Sequence, residues 1–106
     1  MIWDSLTDAF TKEHMGMTAE YLAERYKITR EEQDQYAFAS YQKAVIASDK
    51  KEFEQEIVPI LISEKGKEIQ FSHDEYLNRE TTLEKLKRLS PIFQKDGTVT
   101  AGNASG

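Results

Sequence analysis

Near the start of the chain, Ala19, Leu22, Ala23 and Tyr26 recur at helical spacing, with Glu20, Glu24 and Arg25 between them. The spacing predicts a short helix over Thr18 to Tyr26, with Thr18 as a candidate N-cap and Glu20 on the polar side. A second helix is signalled more strongly. Thr29-Arg30-Glu31-Glu32 has the form of a capping box, and behind it Ala37, Ser40, Tyr41, Ala44, Val45 and Ser48 make a stripe of small and aromatic residues flanked by Tyr36. The small residues allow close approach of a neighbouring element, core packing suffices to explain Tyr36 and Tyr41, and Asp49-Lys50-Lys51 ends the helix in solvent. From Ile57 to Ile62 the residues are mostly β-branched. Glu64-Lys65-Gly66-Lys67 then reads as a turn, and the alternating Ile69 and Phe71 as the return strand of a hairpin, with Pro59 restricting the first strand to an edge. Thr81-Thr82-Leu83-Glu84 opens a third helix by a second capping box, burying Leu83 and Leu86, with Leu89 at its margin, before Ser90-Pro91.

Asp96-Gly97 marks a turn into a final segment of another character. Gly97 to Gly106 carries no charge, in a chain where 31% of residues are charged. Its small side chains, glycines, hydroxyls and amides suit close backbone approach, so it is expected to be buried or to face a ligand. Val99 and the threonines beside it favour a strand. A flexible Gly/Ser terminus is the alternative on composition alone. The expected fold class is α+β, mainly helical, with a small β-hairpin and a C-terminal core strand. The uncharged end further suggests that the 106 residues are part of something larger, and in the isolated chain Gly97 to Gly106 is expected to be disordered or packed against another copy.

Composition narrows the chemistry. A length of 106 residues allows one small domain, and 39% hydrophobic residues make it too apolar to be disordered. The longest apolar run, Ile57 to Ile62, is far too short to span a membrane. A net charge of −5 opposes nucleic-acid binding, so an anionic ligand needs a local basic patch. With no cysteine, the chain holds no disulfide, no thiolate metal site and no cysteine nucleophile. His14 and His73 lack i, i+4 partners, Asp74 and Glu75 point to opposite faces of an extended strand, and no GxGxxG or GxxxxGK occurs. Neither a metal nor a bound cofactor is expected. His14-Met15-Gly16 differs in texture, because a histidine, a thioether and a glycine precede a helix where backbone can approach a ligand; packing and turning is the other reading.

Four blocks together, His14-Met15-Gly16-Met17-Thr18-Ala19-Glu20, Arg30-Glu31-Glu32-Gln33-Asp34, Glu56-Ile57-Val58-Pro59 and the terminal Gly97 to Gly106, resemble a thiolase and fall in that family's order. The resemblance covers the middle of a thiolase subunit and nearly all of this chain. It implies a loop domain over residues 1–96 that covers coenzyme A, and over 97–106 the truncated start of re-entry into the N-terminal core. Thiolases interconvert acetyl-CoA and 3-ketoacyl-CoA by Claisen chemistry, through an acylated cysteine, an activating histidine and oxyanion holes. The family places its two cysteines and that histidine outside the matched region, so no catalytic residue is expected here and the isolated chain is expected to be inactive.

By the same resemblance, His14 and Met15 line the pantetheine and acyl end, Ser105 contacts the pantetheine chain, and Leu6, Phe93 and Ala101 form an apolar wall. Arg79 and Lys85 stand as partners for the coenzyme A phosphates, with plain surface charge as the alternative. A histidine in the His-Met-Gly position resembles the biosynthetic, acetoacetyl-CoA branch. Lys51-Glu52 departs from the family, which usually has a glycine shortly before the position of Phe53. The implied partners are acetyl-CoA or acetoacetyl-CoA and the remainder of the subunit, in a homotetramer. The implied location is the cytoplasm, or mitochondria or peroxisomes if a targeting signal is attached. The competing class is a non-catalytic module, either a coenzyme A or lipid carrier or a helical interaction domain.

Overall fold

Among the described residues, three helices and one antiparallel hairpin form in the order α1 (Met15–Arg25), α2 (Arg30–Asp49), β1 (Ile60–Glu64), β2 (Lys67–Phe71) and α3 (Leu83–Lys87), an α+β arrangement. This computed structural model describes residues 5–105; residues 1–4 and Gly106, the last of the terminal block, lie outside the described residues. The chain divides into two compact units. One comprises the residues up to Ala39 together with those from Thr81 onward; the other is Ser40–Glu80.

In the first unit, α1 starts three residues before the predicted position. His14 is the N-cap, without a side-chain cap bond, and Thr18 lies inside the helix rather than capping it. The reason is tertiary: a Cβ on Gly16 would run into the Phe93 ring, so the glycine lets the first turn settle on an aromatic from the far end of the chain. The other end of α1 closes as a Schellman motif. Ile28 N–H donates to the Ala23 carbonyl at 2.8 Å and Lys27 N–H to that of Glu24 at 3.2 Å, with Lys27 left-handed at φ 54°. The capping box of α2 forms as expected, Thr29 N–H donating to Glu32 at 2.8 Å and Glu32 N–H to the Thr29 hydroxyl at 3.2 Å. For α3 the cap is Thr82, whose hydroxyl accepts from Lys85 N–H at 3.2 Å. Thr81 and Glu84 therefore do not form the expected box.

The buried apolar residues of this unit are few: Ala23, Leu86 and Val99. Buried beside them are Glu20, Asp34 and Thr100. Glu20, expected on the polar side of its helix, is only 5% exposed. It shares a face with Ala23 at i, i+3, so the helix inserts a carboxylate into its packed stripe. Among residues 97–105 the expected strand does not form, nor is the segment disordered: it runs through turns and bends held by bonds within this chain. The amides of Thr98, Val99 and Thr100 donate to the side chains of Glu20 and Asn103 instead of a ladder.

In the second unit, α2 ends at Asp49 as predicted and again closes as a Schellman motif. Glu52 N–H donates to the Ala47 carbonyl at 3.1 Å and Lys51 N–H to that of Ser48 at 3.0 Å, with Lys51 at φ 56°. The stripe expected to pack as core does not. Ser40, Ala44 and Ser48 are exposed, Ala37, Tyr41 and Val45 only half-buried, and Tyr36 in the first unit is 81% exposed. The hairpin begins at Ile60, immediately after Pro59, so Ile57 and Val58 fall outside the strand. Its register pairs Ile60 with Phe71, Ile62 with Ile69 and Glu64 with Lys67. Lys65 and Gly66 are left as a two-residue turn with φ 50° and 78°, the sign pattern of a type I′ turn. Ile60, Ile62, Ile69 and Phe71 line one face, and every strand position is exposed.

Candidate functional site

Chemistry-bearing side chains gather at the N-terminus of α1. A loop closes just before it: Asp8 accepts from Phe10 N–H at 2.8 Å and Thr11 N–H at 2.7 Å, and Thr7 pairs with His14 in an antiparallel bridge. These backbone donors hold the Asp8 carboxyl below the usual carboxylate range. The closure sets Leu6 next to the bridge that carries His14. Phe93 reaches the same place from beyond α3, its ring 6.2 Å from that of His14 and tilted by 44°. Leu6 and Met15 are exposed. The His14 and Phe93 rings thus meet at one end of the helix, where Met15 is the first helical residue and Gly16 is covered by the Phe93 ring. Nearby on α1, Tyr21 donates its hydroxyl to Glu13 at 3.1 Å, which pushes the phenol pKa up.

The other expected site residues are distributed differently. Ala101 and Ser105, both exposed, belong to the 97–105 segment. Lys85 is the third residue of α3, and its amide donates to the capping Thr82 hydroxyl. Arg79 belongs to the second unit, where its guanidinium is held by Asp49 at 2.7 Å and Ser48 at 3.1 Å.

What sequence reasoning missed is the buried polar framework that fixes the 97–105 segment. The Glu20 carboxylate accepts from Thr98 N–H at 2.8 Å, the Thr98 hydroxyl at 2.9 Å and Val99 N–H at 2.7 Å. Asn103 accepts from Thr100 N–H at 2.8 Å, and donates to the Thr98 carbonyl at 2.9 Å and to Asp34 at 3.0 Å. Asp34 also accepts from Arg30 at 2.9 Å, and the same guanidinium donates to the carbonyls of Leu86 and Leu89, each at 2.8 Å. Gln33 adds a bond to the Thr98 hydroxyl at 2.8 Å. The signal was present in the charge-free tail, whose amides and hydroxyls need acceptors once buried.

The two described glycines of the tail, Gly97 and Gly102, approach closely, as composition suggested, but to side chains of this chain. A Cβ at Gly97 would collide with the Glu20 carboxylate, and one at Gly102 would lie 2.6 Å from Leu86 and from Leu89. A separate groove of about 510 Å³, lined by Tyr26, Ile28, Glu32, Tyr36 and Asn103 among others, contains none of the expected site residues. No group of three His, Cys, Asp or Glu side chains suited to a metal occurs among the described residues. Nor, among them, is any helix long and apolar enough to cross a membrane.

Comparison with known proteins identifies the family to which this fold belongs. The thiolase N-terminal domain model matches residues 1–106, and the chain belongs to the thiolase family. It is 56% identical over 107 residues to a probable acetyl-CoA acyltransferase of Staphylococcus aureus strain COL, covering all of this chain and 27% of that relative. Among solved structures, the Bacillus anthracis acetyl-CoA acetyltransferase superposes with a TM-score of 0.91 at 50% identity, over 99% of this chain and 27% of that one. Human mitochondrial 3-ketoacyl-CoA thiolase in complex with CoA gives 0.85 at 50% identity, over 99% and 26%. The chain thus spans about a quarter of the length of these relatives.

Proposed function

We propose that this chain is the coenzyme-covering part of an acetyl-CoA C-acetyltransferase subunit, acting on acetoacetyl-CoA in thiolysis or on acetyl-CoA in Claisen condensation. The observation that carries the reading is the cluster of His14, Met15 and Phe93 at the start of α1 in a chain of the thiolase family. Pantetheine is a slim chain with two amides, and it suits an apolar passage with a few polar groups. Leu6, Met15 and Phe93 supply the apolar surface, with Ala101 on the terminal segment; the His14 ring and the Ser105 hydroxyl supply polar contacts. Lys85 is read as a cation for the phosphates; Arg79, in the other unit and bonded to Asp49 and Ser48, is read in the same way. With no cysteine to accept an acyl group, the chain contributes binding and orientation, and the nucleophile comes from the remainder of the subunit. The histidine at position 14 favours the short-chain, acetoacetyl-CoA branch. The assembled enzyme is a homotetramer with coenzyme A thioesters as substrates and no separate cofactor, working in the cytoplasm unless a targeting signal directs it elsewhere.

The test is a coenzyme A titration of the chain followed by amide chemical shifts, beside thiolysis of acetoacetyl-CoA by the complete subunit that carries this segment. Shifts centred on His14, Met15, Phe93 and Ser105, and a KM for coenzyme A about tenfold higher in His14→Ala, are expected. Shifts confined to the hairpin, with an unchanged KM in the variant, would contradict the reading.

A further inference from the structure

We propose that Glu20 is a positioning residue for coenzyme A: its buried carboxylate latches the 97–105 segment to α1 and so fixes where Ser105 stands relative to His14 and Met15. The inference rests on the reading of Ser105 and His14 as pantetheine contacts. Both ends of this relation meet on one helix. His14 caps α1 and Met15 begins it, while Glu20 lies on the same helix, ~9 Å further along its axis at 1.5 Å per residue.

The carboxylate takes three donors from two consecutive residues of the segment, the Thr98 amide and hydroxyl and the Val99 amide, at 2.7 to 2.9 Å by its shortest contacts. All three are neutral, so the arrangement is a match of acceptor to donors at one register rather than an ion pair. A slip by one residue would put a Cβ where Gly97 now stands and carry the Thr98 hydroxyl away from a carboxylate that is 5% exposed. Gly97 makes the approach possible, since any Cβ there would collide with the same carboxylate. Downstream, Asn103 repeats the device: it accepts from Thr100, donates to Thr98, and is anchored by Asp34 on α2. Two fixed points, five residues apart, leave only Ala104 between the second anchor and Ser105.

The experiment is a double-mutant cycle in the complete subunit, Glu20→Gln with Ser105→Ala, reading KM for coenzyme A, kcat and Tm. Glutamine keeps the shape but turns an N–H₂ toward donors. Glu20→Gln is expected to raise KM about tenfold with kcat within about twofold, and to change KM less than about threefold once Ser105 is already alanine, because the two residues act as one unit. Thr98→Val, which removes one donor while keeping the volume, should show the same coupling with a smaller rise in KM, and supplies the reading if Glu20→Gln does not fold. The same factor in both backgrounds would mean that Glu20 merely stabilises the fold, and would overturn the latch alone. An unchanged KM in Ser105→Ala by itself would overturn the pantetheine reading and this inference with it.

Discussion

Each unit contains an arginine–aspartate pair, and the two pairs have the same chemistry in opposite surroundings. In the first, Arg30 meets Asp34 at 2.9 Å with side chains 25% and 1% exposed, and both partners make further bonds to carbonyls or to Asn103. In the second, Arg79 meets Asp49 at 2.7 Å with side chains 51% and 60% exposed. The shorter pair is the weaker one. Water screens it and competes for every donor, whereas the buried pair organises α2, α3 and the terminal segment, and the loss of either member strands a desolvated charge. Distance therefore says less about stability than what else each charge is holding.

Asp34→Ala is the sharpest way to test that contrast. It should cost about 3–4 kcal/mol in chemical denaturation, because Arg30 and Asn103 lose their shared acceptor, and a loss below 1 kcal/mol would erase the distinction. Leu86→Ala, at the most buried apolar side chain of the first unit, should cost about 2–3 kcal/mol by loss of contacts and the cavity left beside Gly102. Lys51→Gly should act in the opposite direction, raising stability by about 0.5–1 kcal/mol, since Lys51 occupies the left-handed closing position of α2 at φ 56°. Asp49→Ala should change stability by less than about 0.5 kcal/mol, and a larger loss would show that the exposed pair supports more than itself.

The smallest effect concerns pH. Asp8 has a depressed folded-state pKa because Thr11 and Phe10 amides stabilise its charge. Its contribution to closure of the loop is therefore present above the ordinary aspartate value of 3.8 and is lost as pH falls through the lower folded value. The Thr11 amide resonance, followed by NMR in an acid titration, should shift with a midpoint below 3.8; a midpoint above it would contradict the hydrogen bonding described.

The parts of the fold that could be read in the sequence are those whose causes are local. Thr29 and Glu32 cap α2 across three residues, Lys65-Gly66 turns the hairpin, and Pro59 excludes itself from the ladder. The start of α1 was misplaced because its cause, the Phe93 ring over Gly16, lies at the far end of the chain. The fate of the tail was illegible for the same reason. Thr98 finds its acceptor 78 positions away, and a carboxylate on a helix looks solvated until something with donors is laid on it. The small-residue stripe of α2 indicated a face that another element could approach, but periodicity does not say whether this chain provides that element. Of the residues named through the resemblance to thiolases, His14 and Phe93 lie near each other in the fold, whereas Glu20 and Asp34 stood within quoted blocks without a role.

Residues 97–105 are held by side chains of this chain, above all Glu20 and Asn103. Native-state hydrogen exchange of the Thr98, Val99 and Thr100 amides tests it most directly, because each donates to a side chain and not to a strand or helix. The account predicts strong protection at all three, lost selectively in Glu20→Ala at Thr98 and Val99 while the α2 amides stay protected. Exchange of these amides at unstructured rates in the unaltered chain would contradict it.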